Sequence, residues 1–280
     1  MAGVRVVTDS ACDLPADLVD DLGIEVVPLT IRFGDEEYTD RRTITGAQFY
    51  EKLRTVAELP ETAAPSPGAY EEVFRRLAQD GADGIVCVCL SSGLSATMQS
   101  AENAARAVGD EIAVRVIDSH SITMGLGTQV VEAARAARAG RGLDDVAGVV
   151  EELIPRTRVY GVLDTLEFLK KGGRIGSAQA MLGTLLSIKP VLDLSTGVVE
   201  AESRQRTRGK ALRHLAEMVT RHGAVGHLAV MHGDAPDVDA FVDLLTARYD
   251  RAEIHVGLIG ATIGTHGGPG IMGVTFVVPD

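Results

Sequence analysis

Ser91-Ser92-Gly93-Leu94-Ser95 follows directly on the apolar run Ile85-Val86-Cys87-Val88-Cys89-Leu90. That order sets hydroxyl groups and a glycine where a strand gives way to a helix, because residues 96–108 are rich in alanine and read as helical. The first N–H groups of a helix have no partner within it and carry the positive end of its dipole, so an anion suits such a loop. Two more apolar runs end in the same way. Val4-Arg5-Val6-Val7 runs into Thr8-Asp9-Ser10, and Val114-Arg115-Val116-Ile117 runs into Asp118-Ser119. Three serine-bearing strand ends predict a polar crevice at the carboxyl edge of a sheet, where open α/β sheets take their ligands.

Other chemistry competes for the same residues. Gly93-Leu94-Ser95-Ala96-Thr97 invites comparison with the nucleophile elbow of α/β-hydrolases, in which Ser92 or Ser95 would work with His266 as an acyl hydrolase or transferase. That elbow needs small residues on both sides of a strained turn, and Thr97 stands where its last glycine belongs. Gly125-Leu126-Gly127 supplies two glycines of a dinucleotide fingerprint, misses the third and does not directly follow a strand. The sequence contains no P-loop for a nucleoside triphosphate. His227 and His232 sit five apart on a predicted strand and point to opposite faces, so with Asp234 they make no metal-ligand set, and no metal is expected. His266 differs, lying in Thr265-His266-Gly267-Gly268-Pro269-Gly270, which reads as a loop whose glycines let backbone approach a ligand. Thr62-Ala63-Ala64-Pro65-Ser66 precedes a helix start and, taken alone, is a capping turn.

The elements that must position these groups fall into two styles. Up to about residue 155 short β-rich runs alternate with helical patterns, the signature of βαβ units. Thr45 caps one helix, Ser66-Pro67 opens another, and the strand 84–90 follows. From 156 onward the order is strand 159–163, helices 165–171 and 177–186, a hairpin of 191–194 with 198–202, then helix 209–219, strand 227–231, helix 238–249 and strands 253–258 and 274–278. The expected fold class is α/β in two domains: an N-terminal, mostly parallel sheet with flanking helices over 1–155, and a C-terminal α+β domain over 156–280.

Composition narrows the function classes. The chain has 280 residues, 45% of them hydrophobic, enough to fill sizeable cores. Its three cysteines, Cys12, Cys87 and Cys89, read as reduced thiols, and with no apolar run of membrane-spanning length a cytoplasmic protein is expected. A formal charge of −12 disfavours nucleic acid as a partner. Between 170 and 210, however, eight basic side chains face three acidic ones, a local net of +5. Such an island is either a solvated face or a dock for a phosphate-bearing ligand or an acidic partner.

Taken together, Thr8-Asp9-Ser10, Thr62-Ala63-Ala64-Pro65, Leu90 through Ser95, Ile117-Asp118-Ser119, Gly173-Arg174-Ile175, Lys189-Pro190, Arg206-Thr207 and the glycine segment 265–270 resemble the DegV family in order and spacing over essentially the whole chain. The resemblance implies a two-domain protein that binds a long-chain fatty acid such as palmitate, stearate or oleate, with no other cofactor and no catalytic residue of its own. It implies service as the binding subunit of a bacterial fatty acid kinase, in which a separate kinase subunit phosphorylates the acyl carboxylate, with only transient membrane contact. By the same resemblance the carboxylate falls to Thr62, Ser92 and His266, with Ser91 and Gly93 as further contacts, and Arg174 and Arg206 face the kinase or the phosphate. A protonated His266 would also offset the carboxylate charge. Ala63 replaces a hydroxyl residue usual in the family. Leu163, Leu166, Phe168, Met181, Leu185 and Leu186 are candidates for the wall of an apolar tunnel.

Overall fold

The computed structural model of the chain describes residues 3–56, 58–182 and 188–279. In chain order it runs β1 (Val4–Asp9), α1 (Ala16–Leu22), β2 (Glu25–Val27), β3 (Thr30–Phe33), β4 (Glu36–Thr39), α2 (Gly46–Leu53), β5 (Glu61–Ala63), α3 (Pro67–Gln79), β6 (Gly84–Cys89), α4 (Thr97–Ala107), β7 (Val114–Asp118), α5 (Thr123–Arg138) and α6 (Leu143–Leu153). It continues through β8 (Thr157–Val162), α7 (Glu167–Lys171), β9 (Lys189–Asp193), β10 (Glu200–Gln205), α8 (Arg208–Arg221), β11 (Gly226–His232), α9 (Val238–Thr246), β12 (His255–Leu258), α10 (Ala261–Gly267) and β13 (Met272–Val277).

The chain divides into two compact units, one of Met1–Thr30 with Ala63–Pro155 and the other of Ile31–Thr62 with Arg156–Asp280. Residues 31–62, which the sequence places with the N-terminal half, therefore group with the second unit. Ile31, Phe33, Ile44, Phe49, Tyr50 and Leu53 explain why, because they form one buried cluster with Ala261 of α10. Burial of that apolar surface, rather than order along the chain, decides where the segment belongs.

The first unit holds a four-stranded sheet of order β2-β1-β6-β7, parallel at every pairing. β6 is buried at all its positions, as a strand covered on both faces must be. Ile85, Cys87 and Cys89 point to one face, where they pack with Tyr70, Phe74 and Leu77 of α3 and with Ala101 and Ala104 of α4. A side chain at Gly84, on the opposite face, would touch Leu143 of α6. The Cys87 and Cys89 sulfurs lie 3.8 Å apart as free, buried thiols.

The second unit is built on a six-stranded mixed sheet of order β10-β9-β8-β13-β11-β12, in which only β11 and β12 run parallel. α8 and α9 bury Leu212, Leu215, Phe241 and Leu245 against it. The expected hairpin is β9 with β10, extended to Gln205 and bulged between Ala201 and Ser203. β3, β4 and β5 form a separate small sheet of order β4-β3-β5. Where the sequence reads a helix over 177–186, residues Gly176–Met181 form a 3-10 helix. Leu185 and Leu186 lie outside the described residues. Among the described residues no helix is long and apolar enough to cross a membrane.

Candidate ligand-binding site

Thr265-His266-Gly267 belongs to α10 and not to a loop. Glycine is a poor helix former, costing about 1 kcal/mol against alanine, so the pattern alone speaks against a helix. Packing overrides it. A methyl group at Gly264 would stand 2.6 Å from the Tyr50 hydroxyl and 2.8 Å from the Phe49 ring, so only glycine lets α10 lie this close to α2. The helix ends at Gly268, with φ +77, and a side chain there would strike the Phe168 ring.

His266 comes to rest against Thr62, with Nε2 2.9 Å from the Thr62 Oγ1. Its other nitrogen, Nδ1, faces Gly172 at the end of α7, where a methyl group would stand only 2.3 Å away. Nδ1 is buried and has no hydrogen-bond partner among the described residues. Burial, and after it the positive charge of Arg174, lowers the His266 pKa to about 4. The imidazole is therefore neutral at ordinary pH within this fold and interacts by hydrogen bonding, and a carboxylate placed against it would raise its pKa again.

Arg174 follows Gly173 and turns back to donate from Nη1 to the Gly172 carbonyl at 2.7 Å. Arg206 lies exposed between β10 and α8 and forms no hydrogen bond or ion pair with any described residue. Its neighbour in the basic island, Arg208, is committed elsewhere, donating from Nε and Nη2 to the two Asp237 carboxylate oxygens at 2.6 and 2.8 Å and from Nη1 to Asp164 at 3.3 Å. Lys189 Nζ also reaches Asp164, at 2.6 Å. Two of the eight basic side chains in the island are thus neutralised within the fold.

The serine loop belongs to the first unit. Ser91 is fully buried, and its Oγ accepts from the Gly93 N–H at 3.2 Å. Ser92 is exposed, and its N–H lies 3.2 Å from both oxygens of Asp118 while its hydroxyl donates to Oδ2 of the same carboxylate. The anion that this loop holds in the folded chain is thus the protein's own Asp118. Asp9, fully buried at the end of β1, orders the other side of the loop by accepting from Leu90 N–H at 2.7 Å and from Ala11 N–H at 3.0 Å. These two acids are visible in the sequence as the residues that close β1 and β7, yet nothing in the pattern assigns them to the loop. Ser95 pairs with Thr97 Oγ1 at 2.9 Å and accepts from its N–H, which makes it a helix-start residue. Among the described residues neither Ser92 nor Ser95 has a histidine as its hydrogen-bond partner, so the hydrolase reading lacks its base.

A parallel sheet ending in a serine loop, a mixed-sheet unit bearing a Thr–His pair, and the ordered motifs of the sequence define a class. The DegV family model, described as "Uncharacterised protein, DegV family", matches residues 3–278, and the chain belongs to that family. A DegV domain-containing protein of Streptomyces coelicolor is 41% identical over 278 residues, covering 97% of each chain. A solved structure described as fatty acid binding of a DegV family protein from Thermus thermophilus superposes with a TM-score of 0.90 at 35% identity, covering 99% of this chain and 100% of that one. Another, described as DegV, a fatty acid binding protein from Bacillus subtilis, has a TM-score of 0.89 at 30% identity, with 99% of each chain covered.

Proposed function

We propose that this chain binds a long-chain fatty acid and that the Thr62–His266 pair holds its carboxylate. The observation that carries this reading is the neutral imidazole 2.9 Å from a threonine hydroxyl. With its proton on Nε2, His266 donates to Thr62 Oγ1, and the Thr62 hydroxyl proton is left to be given to a carboxylate oxygen. Hydrogen bonds to a charged acceptor are about twice as strong as neutral ones, and a donor already held in place loses little freedom on binding. The printed descriptions of the Thermus and Bacillus relatives, both fatty acid binding, support the choice of ligand.

An acyl chain supplies most of the affinity. Each buried methylene contributes about 0.8 kcal/mol, so a dozen give roughly 10 kcal/mol before ordering costs of several kcal/mol. Apolar residues of the second unit, among them Leu163, Leu166 and Met181, are the proposed wall. Ser92, with Ser91 and Gly93, is the proposed further contact for the carboxylate. Because the Ser92 hydroxyl proton is held by Asp118, Ser92 joins only by exchanging that carboxylate for the ligand's.

In this reading the chain turns nothing over by itself, and a separate kinase subunit transfers phosphate to the bound acyl carboxylate. Arg206, exposed and unengaged, and Arg174, beside His266, are the proposed contacts for that kinase or for the phosphate. The test is mass spectrometry of lipid extracted from the denatured purified protein, together with binding of added palmitate and oleate. Stoichiometric fatty acid, or tight binding of either, is expected, and the absence of both overturns the reading. Labelling of Ser92 or Ser95 by a fluorophosphonate would overturn its non-catalytic part. For the kinase role, Arg206→Glu lowers acyl-phosphate yield with the kinase subunit, and an unchanged yield removes Arg206 from that contact.

A further inference from the structure

Residues 31–62 meet α10 at three places in turn. The Asp40 carboxylate accepts from Thr262 Oγ1 at 2.6 Å, Phe49 and Tyr50 lie against Gly264, and Thr62 reaches His266. On a helix of 3.6 residues per turn, Thr262 and His266 are one turn apart on the same face, and Gly264 lies nearly opposite. The segment therefore grips α10 from two sides. One end of the grip is the carboxylate of Asp40 and the other is the Thr62 hydroxyl of the proposed site.

The Asp40 end is built to be rigid. Asp40 is 1% exposed and Thr262 2%, so their bond is shielded from water. The turn after Asp40 is closed by Thr43 N–H to Thr39 O at 2.9 Å and by Arg41 N–H to Ile44 O at 3.1 Å, and Arg41 is held at φ +65. A side chain other than glycine stays in that left-handed region only when its surroundings over-determine it. Directly afterward Thr45 and Gln48 form a capping box that starts α2, which carries Phe49 and Tyr50. The partner helix needs such help, since α10 is seven residues long, contains two glycines and begins at Gly260 with no side-chain cap. A carboxylate held at its first turn also opposes the positive end of the helix dipole.

We propose that Asp40 is a positioning residue for the carboxylate site: by holding Thr262 it sets the axial rotation of α10 and so the direction in which His266 meets Thr62. This rests on the reading of Thr62 and His266 as carboxylate ligands. Loss of the Asp40–Thr262 bond lets α10 rotate about the Gly264 contact. The imidazole then leaves Thr62 and becomes hydrated.

The test uses the full chain with Thr262→Val, Asp40→Ala and Thr262→Ser. Folding is followed by circular dichroism, His266 by nitrogen-15 NMR across pH, and binding by titration with palmitate. Thr262→Val and Asp40→Ala are expected to keep the fold, to raise the His266 titration midpoint from about 4 toward the ordinary value near 6.5, and to weaken palmitate binding about tenfold. Thr262→Ser, which keeps the hydroxyl, restores both readouts. The proposal is overturned if folded Thr262→Val or Asp40→Ala leaves the His266 resonances and midpoint as in the parent chain, even at reduced stability. Should Thr262→Val not fold, Asp40→Ala, which removes the acceptor, decides by the same readouts. If the parent chain itself fails to bind palmitate, the fatty-acid reading falls, and the His266 resonances still test Asp40.

Discussion

Thr62 Oγ1 and His266 Nε2 lie 2.9 Å apart although 204 residues separate them in the chain. Folding makes this contact at the expense of imidazole hydration, and the lowered pKa of His266, about 4, is the record of that loss. Because the folded value lies below the unfolded one, near 6.5, the unfolded state takes up the proton first as pH falls. The His266 contribution to stability is therefore full above about pH 6.5, declines between about 6.5 and 4, and levels off below. His232, His255 and His222, each lowered chiefly by burial, act in the same direction. Denaturant unfolding at a series of pH values should show this loss, on the order of 3 kcal/mol from His266. His266→Gln should flatten the profile, and an unchanged slope would mean that His266 titrates normally.

Gly172→Ala tests the same contact by steric means. The backbone at Gly172, φ −71, suits any residue, so the substitution adds no backbone strain. The new methyl group would nevertheless stand 2.3 Å from Nδ1 of His266 and must push the ring away from Thr62. We expect a near-native circular dichroism spectrum, an upward shift of the His266 midpoint and a loss of palmitate affinity of about tenfold or more. Unchanged palmitate affinity in the folded variant would remove His266 from the ligand site.

The serine loop offers a paired comparison. The Asp118 side chain is 12% exposed and takes bonds from Ser92 N–H, Ser92 Oγ and His120 N–H. Asp118→Ala strips three donors of their acceptor and should cost about 2–3 kcal/mol, whereas Ser92→Ala removes one bond and should cost about 1 kcal/mol. Chemical denaturation ranks the two, and the reverse order would show that Asp118 does not organise the loop.

Arg208 anchors α8 to the start of α9 through both oxygens of Asp237. Hydrogen bonding from Arg208 holds the Asp237 carboxyl below its usual range. Arg208→Ala should cost about 2–3 kcal/mol, since it leaves a half-buried carboxylate without its donors. Arg208→Lys should recover only part of this, because an ammonium cannot make the two-pronged contact. Thermal unfolding checks both, and full rescue by lysine would reduce the pair to simple charge attraction.

Much of the fold is written locally. β6 is an apolar run that only a doubly covered strand can use, Thr45 and the pair Ser66-Pro67 spell helix starts, and all appear in the structure as the sequence predicts. Such signals depend on near neighbours, so they survive without knowledge of the tertiary contacts. The membership of residues 31–62 in the second unit, the helical state of Thr265-His266-Gly267 and the capture of Ser92 by Asp118 have no local signal.

The same division holds for the proposed site. Its residue types were proposed from sequence and from family resemblance: hydroxyls at 62 and 92 and a histidine at 266. That His266 is neutral and held by Thr62, that α10 exists at all, and that Asp40 reaches it were decided by burial and by packing between segments far apart in the chain. Sequence order encodes neither, because a pKa and a helix rich in glycine both depend on what covers them.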